Sequence, residues 1–142
     1  MHESVVPFSF SVRVYWEDTD AGGIVFYANY LKFFERARTE WLRSVGIGQQ
    51  QLLESTGAMF VVAQTNVRYL RPARLDDELI VTAHVIETGR ASLTVLQQVL
   101  LKTEQVKTVL CEGTVRIGWV NAHSLQPQRI PAALLDSLRM KS

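Results

Sequence analysis

The chain has 142 residues, 47% apolar and 20% charged, with a formal net charge of +1. This fits one globular domain, residues 1–142, and gives no charge bias towards nucleic acid or an anionic membrane. The single cysteine, Cys111, excludes an internal disulfide, and no apolar run approaches the ~20 residues that cross a bilayer.

Residues 8–16, FSFSVRVYW, alternate, so a strand is predicted with Phe8, Phe10, Val12, Val14 and Trp16 on one face. An acidic loop, EDTDAGGIVFY, follows at 17–27. From about Asn29 to Val45 the period changes. Tyr30, Phe33, Phe34, Ala37, Trp41 and Val45 recur at three- and four-residue steps, the mark of a helix with one apolar face. Asn29 is its expected N-cap and Gly46 its expected C′ residue. A short polar helix, GQQQLLEST, comes next. Strands are then predicted at 58–69, 78–87, 93–102 and 108–119, with turns at RPARLDD, TGRAS and TEQVK. Pro131 opens a short tail helix, AALLDSL.

One strand, a long helix and four strands make an α+β domain, its helix on one face of a curved antiparallel sheet. Thr94, Gln97 and Gln98 interrupt the apolar positions of one strand, and both sheet faces are not easily solvated. Pairing with a second subunit is therefore expected. The N-terminal MHESVVPFSF has neither the basic leader nor the apolar stretch of a secretory signal, so a cytoplasmic location is expected, with a peripheral membrane role left open.

Glu17, Asp18 and Asp20 precede Gly22-Gly23 and the helix start. A calcium loop would place Gly22 and Asn29 where an oxygen ligand and a bidentate glutamate belong, so that reading fails. His2, His84 and His123 are scattered, which leaves zinc or iron without ligands, and His84 reads as a packed or surface strand residue. Cys111 alternates with core residues and reads as a small buried hydrophobe. No G-x-S-x-G elbow or glycine-rich phosphate cradle is present. Two readings of the loop remain. It is an acidic turn at a helix start, or a carboxylate working beside backbone N–H groups that polarise a carbonyl. The Gly22-Gly23 pair permits unusual backbone angles and close approach to a ligand.

The segment VYWEDTDAGGIVFYANYLKFFERARTEWL resembles the signature of the hotdog-fold acyl-CoA thioesterases of the 4-hydroxybenzoyl-CoA thioesterase type. RPARLDDEL at 71–79 and the chain length are similar to the Tol-Pal system-associated acyl-CoA thioesterases of bacteria. The resemblance implies a hotdog fold with sheets paired across a dimer, often assembled as a tetramer. It implies hydrolysis of acyl-CoA without metal or prosthetic cofactor, coenzyme A being part of the substrate. It places the catalytic carboxylate on Asp20, a supporting role on Asp18, and the carbonyl-polarising N–H near Tyr27. Many Tol-Pal-associated members carry histidine where this chain has Tyr27. The backbone N–H survives either residue.

In that family the site lies between subunits, which makes Phe60 and Val62 candidates for the partner's share of the pocket. Gly23 is a substrate-contact candidate, and Arg71, Arg74 and Arg90 are candidate anchors for the phosphates of coenzyme A. Acyl carrier protein stays open as an alternative acyl donor. Two competing functions are a hotdog dehydratase, which needs a histidine where 3–83 has none, and an acyl-CoA-binding or envelope-associated protein without turnover.

Overall fold

The computed structural model describes residues 7–103 and 107–140. His2 and part of the predicted TEQVK turn lie outside the described residues. Five strands form one antiparallel sheet: β1 (Phe8–Arg13), β2 (Ala58–Tyr69), β3 (Glu78–Thr88), β4 (Ser92–Leu101) and β5 (Thr108–Asn121), in the order β1-β3-β4-β5-β2. The helices are α1 (Tyr30–Ser44), α2 (Gln49–Thr56) and α3 (Ala132–Met140). The α+β architecture, with a long helix on one face of an antiparallel sheet, is as predicted.

The aromatic stripe of α1 drives the packing. Phe33, Phe34, Ala37 and Trp41 are fully buried, against Leu79, Val81 and Ala83 of β3, Val95 and Val99 of β4, and Cys111, Val115 and Ile117 of β5. Each of the larger apolar side chains contributes about 1.5–3 kcal/mol when withdrawn from water. Gly113 makes the close approach possible. A Cβ there would stand 2.9 Å from a ring carbon of Phe34 and 3.0 Å from the Asn66 carbonyl.

Among the described residues Gln97 is the one fully buried polar side chain of this core, and its amide is fully used. Its Nε2 donates to the carbonyls of Phe34 (3.0 Å) and Thr82 (3.1 Å), and its Oε1 accepts from Arg38 Nη1 (2.9 Å). It thus joins α1 to the sheet by hydrogen bonds where an apolar residue would leave buried polar groups unpaired.

Two local readings need correction. The first strand ends at Arg13, and Trp16 is 78% exposed rather than in phase with Val12 and Val14. The cause is Asp18, whose Oδ2 captures the Tyr15 N–H (2.9 Å) and draws Trp16–Asp18 into a 3-10 turn. Asn29 does not cap α1. It has right-handed helical angles, its side chain is turned to Asp18, and a second 3-10 turn, Tyr27–Asn29, leads into the helix.

Gly46 does serve as C′. At φ +84 it ends α1 in a Schellman motif, with Ile47 N–H on the Leu42 carbonyl (2.8 Å) and Gly46 N–H on the Arg43 carbonyl (3.0 Å). A Cβ at this position meets no other atom, so Gly46→Ala pays only the left-handed backbone penalty. We expect a loss of about 1 kcal/mol and a fall of a few degrees in Tm, measured by thermal denaturation.

The helix α1 lies across β1, β3 and β4 and leaves much of β2 uncovered. On the helix-side face of β2, Val62 is 53% exposed. β2 also forms an open edge of twelve residues. A long edge with uncovered apolar side chains is a surface that other backbones pair with unless something protects it.

Candidate active site

The acidic loop is a tight hairpin. Asp20 N–H donates to the Ile24 carbonyl (2.9 Å) and Gly23 N–H to the Asp20 carbonyl (3.1 Å), while Thr19 and Val25 face each other. Gly23, at φ +78, takes the left-handed position that closes such a turn. Gly22 has a separate reason to lack a side chain. Its N–H donates to Asp20 Oδ1 (2.9 Å), and a Cβ would come within 3.3 Å of that same oxygen.

The two aspartates play different parts. Asp18 is buried, and its carboxylate joins two chain segments: Oδ2 accepts from Tyr15 N–H and Oδ1 from Asn29 Nδ2, each at 2.9 Å. Its carbonyl accepts from Phe26 N–H (3.1 Å). These bonds hold the strand end against the entrance to α1. Asp20 stands at the exposed tip of the hairpin. One carboxylate oxygen is oriented by Gly22, and the other makes no hydrogen bond among the described residues. Glu17 is exposed beside them.

Three backbone donors follow the hairpin. Asn29 N–H is spent on the Phe26 carbonyl (2.8 Å). The N–H groups of Tyr27 and Ala28 carry no hydrogen bond among the described residues, as expected at a helical N-terminus. With the helix dipole behind them they are suited to a developing negative charge. Gly23 is not available for that work. Its N–H is on Asp20, and its carbonyl accepts from Leu75 N–H (3.0 Å). It shapes the loop and has no free donor for a substrate.

The segment Ala73–Leu75 runs antiparallel beside Gly23–Val25, tied by Val25 N–H to the Ala73 carbonyl (2.8 Å) and by a bridge between Ile24 and Arg74. Tyr30 Oη, buried in the core, accepts the Ala73 N–H at 3.0 Å. Burial raises the Tyr30 pKa, and the Ala73 bond opposes the rise. The phenol is therefore a neutral structural group at physiological pH. Arg71 and Arg74 are thereby brought to the acidic loop. Arg71 lines a groove of about 320 Å³ with Ile24, Val25, Tyr27, Tyr30, Tyr69, Leu70 and Pro72. Tyr69 meets Tyr27 edge to face (6.2 Å between centroids) and Tyr30 at 5.6 Å. A second depression, about 590 Å³, lies on the Glu17 side among Tyr15, Trp16, Leu75 and Asp76.

Arg90, Phe60 and Val62 are not part of this cluster in the chain. Arg90 sits in the β3–β4 turn, at the opposite end of the strands from the acidic loop. Ten-residue strands put it about 30 Å away. Phe60 packs against Trp119 with the rings tilted (4.8 Å between centroids), and both Phe60 and Val62 line a separate depression of about 160 Å³ against α1. Sequence reasoning missed Tyr69, Ala28 and the clamp made by Asn29. Tyr69 had a local signal, an aromatic next to RPARLDD. Asn29 had none, since its partner is eleven residues upstream.

Exposed aromatics crowd this end of the molecule: Tyr15, Trp16, Phe26, Tyr27 and Tyr69 are each between 47% and 78% exposed. Such patches mark ligand or protein interfaces.

The chain is similar in sequence and fold to known proteins. The thioesterase-like superfamily matches residues 14–138. The acyl-CoA thioesterase YbgC of Haemophilus influenzae is 44% identical over 124 residues, covering 87% of this chain and 88% of that protein. The acyl-CoA thioester hydrolase YbgC of Escherichia coli O6:H1 is 39% identical over 132 residues, covering 93% and 96%. The crystal structure of a probable thioesterase from Bartonella henselae superimposes with a TM-score of 0.80 at 31% identity, over 89% of this chain and all of that one. The chain belongs to the thioesterase-like superfamily, and its sheet and long helix are the hotdog fold of that superfamily.

Proposed function

We propose that the chain is an acyl-CoA thioester hydrolase in which Asp20 supplies the carboxylate and the N–H groups of Tyr27 and Ala28 grip the thioester oxygen. The observation that carries this reading is the oriented, half-free carboxylate of Asp20, on a hairpin whose second arm leads into two unspent backbone donors. The family membership of the chain and the names of its YbgC relatives supply the reaction class.

A thioester carbonyl is an easier electrophile than an ester, and its thiolate leaves without strong acid assistance. Two routes fit a lone carboxylate. In one, an Asp20 oxygen bonds to the acyl carbon and the C–S bond breaks. Coenzyme A departs as thiolate, and water then hydrolyses the mixed anhydride. In the other, Asp20 takes a proton from a water that attacks the same carbon, the C–S bond breaks, and coenzyme A again departs as thiolate and is then protonated. Both return free acid and thiol, and neither needs a cofactor in this proposal.

A homodimer completes the site in this reading. A two-fold axis through the middle of the open β2 edge would pair β2 with its copy. It would carry the partner's Phe60 and Val62 towards the end of the sheet where Tyr27, Tyr69 and Arg71 stand. Dimers of dimers, a role beside the Tol-Pal system, a cytoplasmic or inner-membrane-face location, and acyl carrier protein as alternative donor extend the proposal. Arg71 and Arg74 are the proposed phosphate anchors of one subunit. Arg90 would have to serve from the other.

Thiol release from short, long and aromatic acyl-CoAs tests the function. Turnover with any of them supports it. Tight binding without release would instead identify an acyl-CoA-binding module. The protein adds no background to a thiol assay, because burial pushes the Cys111 thiol up to about 12. We expect Cys111 to ignore an aromatic disulfide reagent at pH 8 in the native protein and to react once denatured.

A further inference from the structure

The sheet face turned away from α1 carries a polar depression of about 280 Å³ that the hydrolytic site does not use. Its floor is one straight row across four strands: Glu87 of β3 faces Thr94 of β4, Thr94 faces Arg116 of β5, and Arg116 faces Gln64 of β2. Both ends of the row are set by β-bulges, between Val85 and Glu87 and between Val62 and Gln64. Bulges re-aim side chains, and here they turn both end residues onto the outer face. Ser92 and Thr114 stand in the flanking rows. Gly89 lines the same depression, and Gly118, paired with Ser92, leaves that neighbouring position without a side chain.

Among the described residues, none of these six polar side chains makes a hydrogen bond or ion pair. Their neighbours on the same face behave otherwise. Gln98 is bonded to Glu112 (2.8 Å), and Thr82 Oγ1 accepts the Gln98 N–H (3.0 Å). Glu87 and Arg116 are separated by two strand spacings, about 9.5 Å between backbones. They do not form a salt bridge, with hydroxyls rather than a third charge between them. A molecule with an ammonium at one end and an anionic group two to four bonds away fits between the Glu87 and Arg116 side chains. It would give its N–H donors to Glu87 and receive those of Arg116, Thr94 and Ser92.

We infer that this depression binds a compact zwitterion, a primary amine carrying a carboxylate or phosphate, as a second site independent of thioester hydrolysis. The same chemistry occurs in free amino acids and in the headgroup of an aminophospholipid. Titration of the full-length protein with glycine, β-alanine and O-phosphorylethanolamine, followed by amide NMR shifts, tests it. Saturable shifts at Thr94, Arg116 and Gly118 are expected with at least one probe. Acetate, ethylammonium and inorganic phosphate should bind about tenfold more weakly or worse.

Glu87→Gln and Arg116→Gln should each weaken binding about tenfold or more, with Tm and thiol release from acyl-CoA unchanged. Sedimentation with vesicles of phosphatidylethanolamine in phosphatidylcholine, lost in both variants, assigns the source to a lipid headgroup. Binding of a free probe without sedimentation assigns it to a soluble zwitterion. The inference is overturned if no probe and no vesicle binds. It also fails if singly charged probes bind as tightly, if the shifts map elsewhere, or if neither substitution weakens binding.

Discussion

Asp20→Asn is expected to fold and melt like the wild type while losing about two to four orders of magnitude in kcat for thioester hydrolysis, the range for removing a positioned acid or base. The side chain is exposed, and its one local bond, the Gly22 N–H on Oδ1, can be kept by the amide oxygen. Nothing in the core depends on its charge. The amide can neither attack an acyl carbon nor take a proton from water. Thiol release, read beside thermal denaturation, separates the two effects. Retained turnover would remove Asp20 from the mechanism.

Asp18→Ala is the opposite experiment. It strips the partners from the part-buried Tyr15 N–H and from the buried Asn29 amide. Each group left unsatisfied costs about 1–3 kcal/mol, so a fall in Tm of roughly 10 °C is expected. Activity should fall as well, because Asn29 lies in the same 3-10 turn as the Tyr27 and Ala28 donors. Asp18→Asn keeps oxygen for only one of the two donors and should lie between. Loss of Tm without loss of kcat per folded molecule would mean that the clamp serves the fold alone.

The contrast between these neighbours shows what the sequence could and could not carry. Periodicity located every strand and α1, because the apolar stripe Phe33, Phe34, Ala37 and Trp41 and the alternation of Leu79, Val81 and Ala83 are local properties of the chain. The trio Glu17, Asp18 and Asp20 was visible as a group but not by role. Their separation into clamp, tip and bystander depends on where Asn29 and Tyr15 come to rest. Trp16 was misplaced for the same reason, since a carboxylate two residues away redirects the backbone.

Gly23 is a related case. Glycine announces an unusual backbone, and the chain spends that freedom on a turn rather than on a ligand. Tyr69 joins the site only through pairing of β2 with β5, a contact over many intervening residues. Phe60, Val62 and Arg90 lie away from the loop within the chain, because the strand pairing that sets their distance from it is not a local property of the sequence.

The most direct measurement is a crystal structure of Asp20→Asn holding an uncleaved acyl-CoA. The thioester oxygen is expected about 2.9 Å from the N–H groups of Tyr27 and Ala28, with the acyl carbon facing the side chain at position 20. A thioester lodged elsewhere, or one whose oxygen points away from both donors, would contradict it.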